Sequence, residues 1–201
     1  MSANGLTGIV IDMQPYFLDY FEFDVKEMII EEQLKVINEL KEIKSPVFIL
    51  EYFGNGKTDY RIREAVKSLY LFNRITRFHN DGFSISYLNP ILKLLKTKEI
   101  VCMGINASAC VQETIKSAIK KGYKVTTSMA IIGDHISYKT EELEEEHEKM
   151  RKLLKEKTND FSEIEVVSKN LTNPNILEWY KENTRFFDNS DELLRYIKAN
   201  K

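Results

Sequence analysis

The chain is short of the residues that hold small or secreted scaffolds together. It has two cysteines among 201 residues and no Cys-x-x-Cys pair, which argues against a disulfide framework or a thiolate zinc site. Its three histidines, His79, His135 and His147, stand far apart, and none has zinc-ligand spacing with another. Eight glycines and four prolines form no linker, and no repeat or low-complexity stretch divides the sequence, so one domain over 1–201 is expected. No apolar run approaches the roughly 20 residues that span a bilayer, and the start, "MSANGLTGIVIDMQ", lacks the parts of a secretory signal. Neither sign of charge dominates. A formal net charge of −2, with no basic stripe carrying interleaved aromatics, predicts no attraction to nucleic acid or to anionic membranes. A cytoplasmic location is the expectation that remains.

What is present is an alternation of apolar runs and amphipathic stretches. "LTGIVIDM" (6–13), "VFILEYF" (47–53), "EIVCMG" (99–104) and "KVTTSM" (124–129) suit strands buried on both faces. Between them lie a helix over 25–43, capped by Asp24, with Ile29, Ile30, Leu34, Ile37, Leu40 and Ile43 on one stripe, and helices near 59–71, 86–96 and 109–121. The stretch "RITRFHNDGFS" reads as irregular. A charged helix, "TEELEEEHEKMRKLLKEK", follows the fourth strand, with Glu-to-Lys spacings that favour a solvated face. A helix at 174–182, the strand "TRFFDN" and a Ser190-capped helix close the chain. This order predicts an α/β fold, a three-layer α/β/α sandwich with a mainly parallel central sheet. The carboxyl ends of its strands then share one edge, where ligands bind.

Two residues at that edge carry chemistry. Asp12 ends the first strand inside "GIVIDMQP", where a carboxylate is costly without a partner, so it either caps a turn or pairs with a lysine, or it is a general base. Cys110 lies just past the third apolar strand, in the first turn of the following helix. Free N–H groups and the helix dipole there favour a thiolate, whereas a plain packing role makes it inert. Cys102, inside the strand, reads as an inert core thiol. Gln14, two positions from Asp12, is placed to hold Asp12 or a polar group of a substrate.

Three segments resemble the isochorismatase-like cysteine hydrolases, which include nicotinamidases and N-carbamoylsarcosine amidase. "IDMQPYF" is similar to the family's Asp-x-Gln strand end, "RFHNDGF" to its Lys, five residues, then Phe, and "GINASACV" to its Gly-x-x-Thr-x-x-Cys-Val. The resemblance runs over about 5–135 in good register. It implies hydrolysis through a covalent thioester-type intermediate, with Asp12 as base, Cys110 as nucleophile and Arg77 in the family's lysine position. It also implies an oxyanion hole from the N–H groups of Asn106 and Cys110, with a cis peptide at Ile105–Asn106. By the same likeness the protein is a homo-oligomer acting on a small-molecule substrate, and a small amide is the natural one for a chain that keeps Cys110.

Three departures accompany the likeness. Arg77 keeps the positive charge but does not release its proton, Ala107 replaces the family's Thr, and Ala130 stands where many members have Asp. The Asp/His metal cluster of nicotinamidases has no counterpart in "EYFGNGKTDY", so no metal and no cofactor are expected. Phe17 and Phe83, with Tyr16 and Phe53, are the aromatic candidates for substrate contact. An alternative reading is a catalytically weak or inactive member whose fold serves binding or assembly, with Arg77 forking onto Asp12. A thiol redox protein is the third reading, and it lacks a resolving cysteine nearer than Cys102.

Overall fold

The structure, a computed structural model, describes residues 5–67, 72–134 and 174–200. Its strands are β1 (Leu6–Ile11), β2 (Val47–Tyr52), β3 (Phe72–Arg77), β4 (Glu99–Ile105), β5 (Lys124–Ser128), a two-residue β6 (Ile132–Gly133) and β7 (Arg185–Phe187). All pair in parallel, in the order β3-β2-β1-β4-β5-β7, with β6 beside β4. The helices among the described residues are α1 (Pro15–Leu18), α2 (Phe23–Glu42), α3 (Tyr60–Lys67), α4 (Leu88–Leu94), α5 (Gln112–Lys120), α6 (Pro174–Asn183) and α7 (Ser190–Ala199).

Neighbouring strand residues point to opposite faces, and β1 uses this to set the layers. A Cβ on Gly8 would meet Leu40 of α2, whereas Ile9 lines a small buried space together with Thr114, Ile115 and Ala118 of α5. Helices α2 and α5 therefore cover opposite faces. On its own side α2 packs against α3 and α7. Every residue of β1 and β4 is buried, as expected for strands with a helix layer on each side.

The chain runs outward from β1 to β2 and β3 on one side, and through β4 to β5 and β7 on the other. The β1/β4 junction is thus the point where strand order reverses, the position at which open α/β sheets bind ligands. Register there is tight. Ile11 lies beside Leu50 on one flank and Gly104 on the other.

Several expectations need correction. The stretch expected to be irregular opens with the last four residues of β3, an edge strand paired with β2 through Tyr52↔Arg77. Asp24 lies in the first turn of α2, which starts one residue earlier, and Glu22 at the N-cap position makes no side-chain cap bond. Asn189 rather than Ser190 caps α7, accepting the Glu192 N–H. Cys110 does not open an α-helix: it sits in a π-helical turn, Ala107–Val111, that precedes α5. The charged helix expected after the fourth strand lies outside the described residues.

Candidate active site

Strand β1 ends at Asp12, whose backbone turns into the left-handed region (φ 56°) while its N–H still bonds the Leu50 carbonyl at 3.0 Å. Strand β3 ends at Arg77, and β4 hands over at Asn106, also left-handed (φ 61°, ψ 67°), to the turn that carries Cys110. Asp12, Arg77 and Cys110 all become buried, at 0%, 1% and 4% exposure. For an arginine this requires partners. One terminal nitrogen of Arg77 donates to Asp12 Oδ2 and the other to the His79 carbonyl, and its guanidinium lies 5.0 Å over the Tyr52 ring. Two polar atoms of this buried pair have no partner among the described residues: Asp12 Oδ1 and Arg77 Nε. Arg77 therefore ties one oxygen of the carboxylate and leaves the other.

The electrostatics follow from burial first. Burial pushes the Asp12 carboxyl up from its ordinary range, against the opposing pull of the Arg77 charge and hydrogen bond. Burial likewise pushes the Cys110 thiol up, to about 12, the Asp12 charge adding to the rise and Arg77 opposing it. The resting thiol is protonated, contrary to the thiolate expected from a helix start. The π-turn gives it no exposed first α-helical turn, and burial with an adjacent carboxylate outweighs one guanidinium. Its Sγ lies 3.6 Å from Asn80 Oδ1.

The remaining expected residues divide. Gln14 is fully buried and spent on backbone: Nε2 donates to the Tyr52 and Gly56 carbonyls (2.9 and 2.7 Å), and Oε1 accepts the Tyr52 N–H (2.6 Å). It ties the β1 end to the β2 end, which leaves it no group for a substrate. Phe17 is half-buried and edge-on to Tyr52, ring centroids 6.3 Å apart. Phe83 packs into the core with Ile9 and Cys102, stacked on Tyr123, and not at the mouth. Tyr16 and Phe53 are exposed. Asn106 lies at the site with its side-chain Oδ1 unpartnered among the described residues. The Ile105–Asn106 peptide is trans, since no described peptide bond is cis, and the left-handed Asn106 makes the turn instead. Within this turn the Ala109 and Val111 N–H groups are committed to the Asn106 carbonyl, and that of Ser108 to Asp134.

Sequence reading missed Asn80, Thr114, Asp134 and Tyr180. Thr114 Oγ1 donates to the Cys110 carbonyl (2.7 Å) and accepts the Gly82 N–H (2.9 Å), so it fastens the loop after β3 to the turn that carries Cys110. Ser117 adds a second tie, to Asp81 at 2.6 Å. Asn80 lay within the quoted "RFHNDGF", but nothing in a sequence says that its side chain faces a thiol. Among the described residues no group of three or more His, Cys, Asp or Glu side chains gathers to hold a metal. No helix there is long and apolar enough to cross a membrane.

A family model for the isochorismatase domain matches residues 8–152. Among solved structures, the chain is similar to an isochorismatase-like hydrolase from Alkaliphilus metalliredigens (18% identity, TM-score 0.63, covering 98% of this chain and 99% of that one). It is similar also to N-carbamoylsarcosine amidase from Thermoplasma acidophilum (14%, TM-score 0.60, 92% and 96%). A third likeness is to a nicotinamidase from Staphylococcus aureus (19%, TM-score 0.57, 64% and 84%). At these identities the structural likenesses speak for the fold alone. No curated protein sequence matches the chain.

Proposed function

The chain belongs to the isochorismatase family of hydrolases, and on that footing we propose that it is a cysteine hydrolase of small amide-type (C–N) substrates. In this reading Cys110 is the nucleophile, Asp12 the base and Arg77 the fixed charge beside them. One observation carries it: Asp12 Oδ1 is buried and unpartnered in a site shared with the Cys110 thiol, while Oδ2 is held by Arg77. The alternative, an inactive scaffold, draws on an Asp12 tied by both oxygens, which would have no basic lone pair left. Only one oxygen is tied.

The chemistry runs from a protonated thiol. As Sγ adds to the substrate carbonyl carbon, the thiol proton passes to Asp12, and the oxyanion is held by the Asn106 and Cys110 N–H groups. The C–N bond then breaks, and the leaving amine takes the proton from Asp12. Water attacks the thioester, giving its proton to Asp12, and the acid departs as the thiol is restored. Arg77 transfers no proton in this scheme. It stabilises the Asp12 anion, a task for which a permanent cation is well suited. The proposal includes a cytoplasmic setting, and also self-assembly, which the family likeness implies.

The test joins two readouts, hydrolysis of a panel of small amides and alkylation of Cys110 by iodoacetamide. Cys110→Ala and Asp12→Asn are expected to lower hydrolysis by about 100-fold or more. Asp12→Asn should nevertheless speed alkylation near pH 8, because it removes a charge that raises the thiol pKa, and Arg77→Met should slow it. Alkylation indifferent to both substitutions, with no amide consumed, would leave only a scaffold.

A further inference from the structure

The turn that carries Cys110 is poorly equipped to hold its own shape. It is π-helical, it is entered through a left-handed residue, and two of its five residues, Ala107 and Ala109, have only a methyl side chain. Yet one peptide within it is gripped at both ends. The Ala107 carbonyl accepts a hydrogen bond from the Tyr180 hydroxyl at 2.7 Å. The Ser108 N–H, on the other side of the same peptide plane, donates to Asp134 Oδ1 at 3.0 Å, and the Ser108 hydroxyl donates to that same oxygen at 2.8 Å.

The two grips come from remote parts of the chain. Tyr180 is fully buried and reaches in from α6. Asp134 directly follows β6, a two-residue strand that pairs with the end of β4 through Gly104↔Ile132 and Ile105↔Gly133. That pairing sets Asp134 beside the turn as β4 leaves the sheet. A single hydrogen bond lets a peptide swivel about its axis, whereas bonds at both C=O and N–H fix the plane. The Asn106 and Cys110 N–H groups lie two peptides away on either side, and fixing this plane, together with the ties of the Ala109 and Val111 N–H groups to the Asn106 carbonyl, removes freedom from the span between them.

We infer that Asp134 and Tyr180 are positioning residues that clamp the Ala107–Ser108 peptide so that the Asn106 and Cys110 N–H groups face the developing oxyanion. This rests on the hydrolase reading above. Neither residue touches the reacting atoms. Their work is to preorganise donors, which is where much of the rate of acyl transfer originates.

A reversible aldehyde separates this role from general support of the fold. Cys110 Sγ adds to the carbonyl carbon of benzaldehyde, the carbonyl π pair moves to oxygen, and that oxygen takes up the thiol proton. Nothing leaves, and the new oxygen occupies the oxyanion position. Iodoacetamide instead displaces iodide at a saturated carbon and creates no oxyanion. The measurement is the benzaldehyde concentration that halves alkylation of Cys110, located by mass spectrometry in the full chain. Tyr180→Phe and Asp134→Ala are each expected to raise it about tenfold, with the alkylation rate in the absence of aldehyde kept within about twofold. Asp134→Asn, whose Oδ1 still accepts from both Ser108 donors, is expected to remain within about threefold of wild type. With an amide substrate, Tyr180→Phe and Asp134→Ala should lower kcat and leave KM in place.

Unchanged half-protecting concentrations in Tyr180→Phe and Asp134→Ala would overturn the clamp while the hydrolase reading stands. A wild type that benzaldehyde does not protect overturns the hydrolase reading, and the clamp falls with it. If Asp134→Ala does not fold, Tyr180→Phe, which removes one oxygen atom, decides the matter.

Discussion

Cys102 and Cys110 are both buried thiols, and the difference between them lies in their neighbours. Burial alone pushes Cys102 up to about 12 from an ordinary 9.0, whereas Cys110 also feels Asp12 and Arg77. A thiol whose pKa is raised by folding keeps its proton better in the native state. Its contribution to stability is whole below pH 9 and is lost as the pH climbs toward 12. Replacing Cys102 with Ala should therefore flatten the alkaline fall in Tm across that window, at a cost of about 1 kcal/mol near pH 7 for the small cavity left behind. Calorimetry from pH 7 to 11 checks both parts. Arg77 shows a different residue-scale effect. Along β3 the side chains of Arg74 and Thr76 are exposed and those of Ile75 and Arg77 buried, the period-2 pattern of a half-buried strand. In sequence the pattern is hidden because one core-facing position holds a cation, and the burial of that cation depends on Asp12, a partner 65 positions away.

At the level of elements, the apolar strands and the α2 stripe were legible because they follow from periodicity and burial. The site was legible in part. Asp12 and Cys110 stand at strand ends, which a parallel sheet gathers on one edge. Tyr180 and Asp134 were not, because each acts on a backbone group of another element, and such contacts leave no mark in composition or spacing. The π-turn was hidden for the same reason, since its extra residue reads as ordinary helix. Gly104 marks how closely the two central strands approach. It adopts φ +144°, and a Cβ there would stand 2.2 Å from the Ile11 carbonyl oxygen. Gly104→Ala must push β4 away from β1, at a cost of about 3 kcal/mol or more. Urea unfolding should report that loss, accompanied by weaker coupling between Asp12 and the Cys110 alkylation rate.

For the whole molecule, the sheet order makes the three charged or nucleophilic groups unequal in how firmly they are held. Asp12 follows β1 and Cys110 follows β4, the two central strands, each paired on both sides. Arg77 ends β3, which pairs on one side only and lies at the border of the sheet. Opening in folded proteins begins where the fewest pairings must be broken. Amide hydrogens of Ile75 and Arg77 should accordingly exchange with deuterium well before those of Val10 or Met103, and mass spectrometry of peptides from the two regions checks the order. Fraying of that one strand withdraws the guanidinium from Asp12 while β1 and β4 stay in register. The same border that completes the charge pair thus gives the protein a way to dim: on mild heating, reactivity would fade at a temperature where circular dichroism still reads a folded molecule.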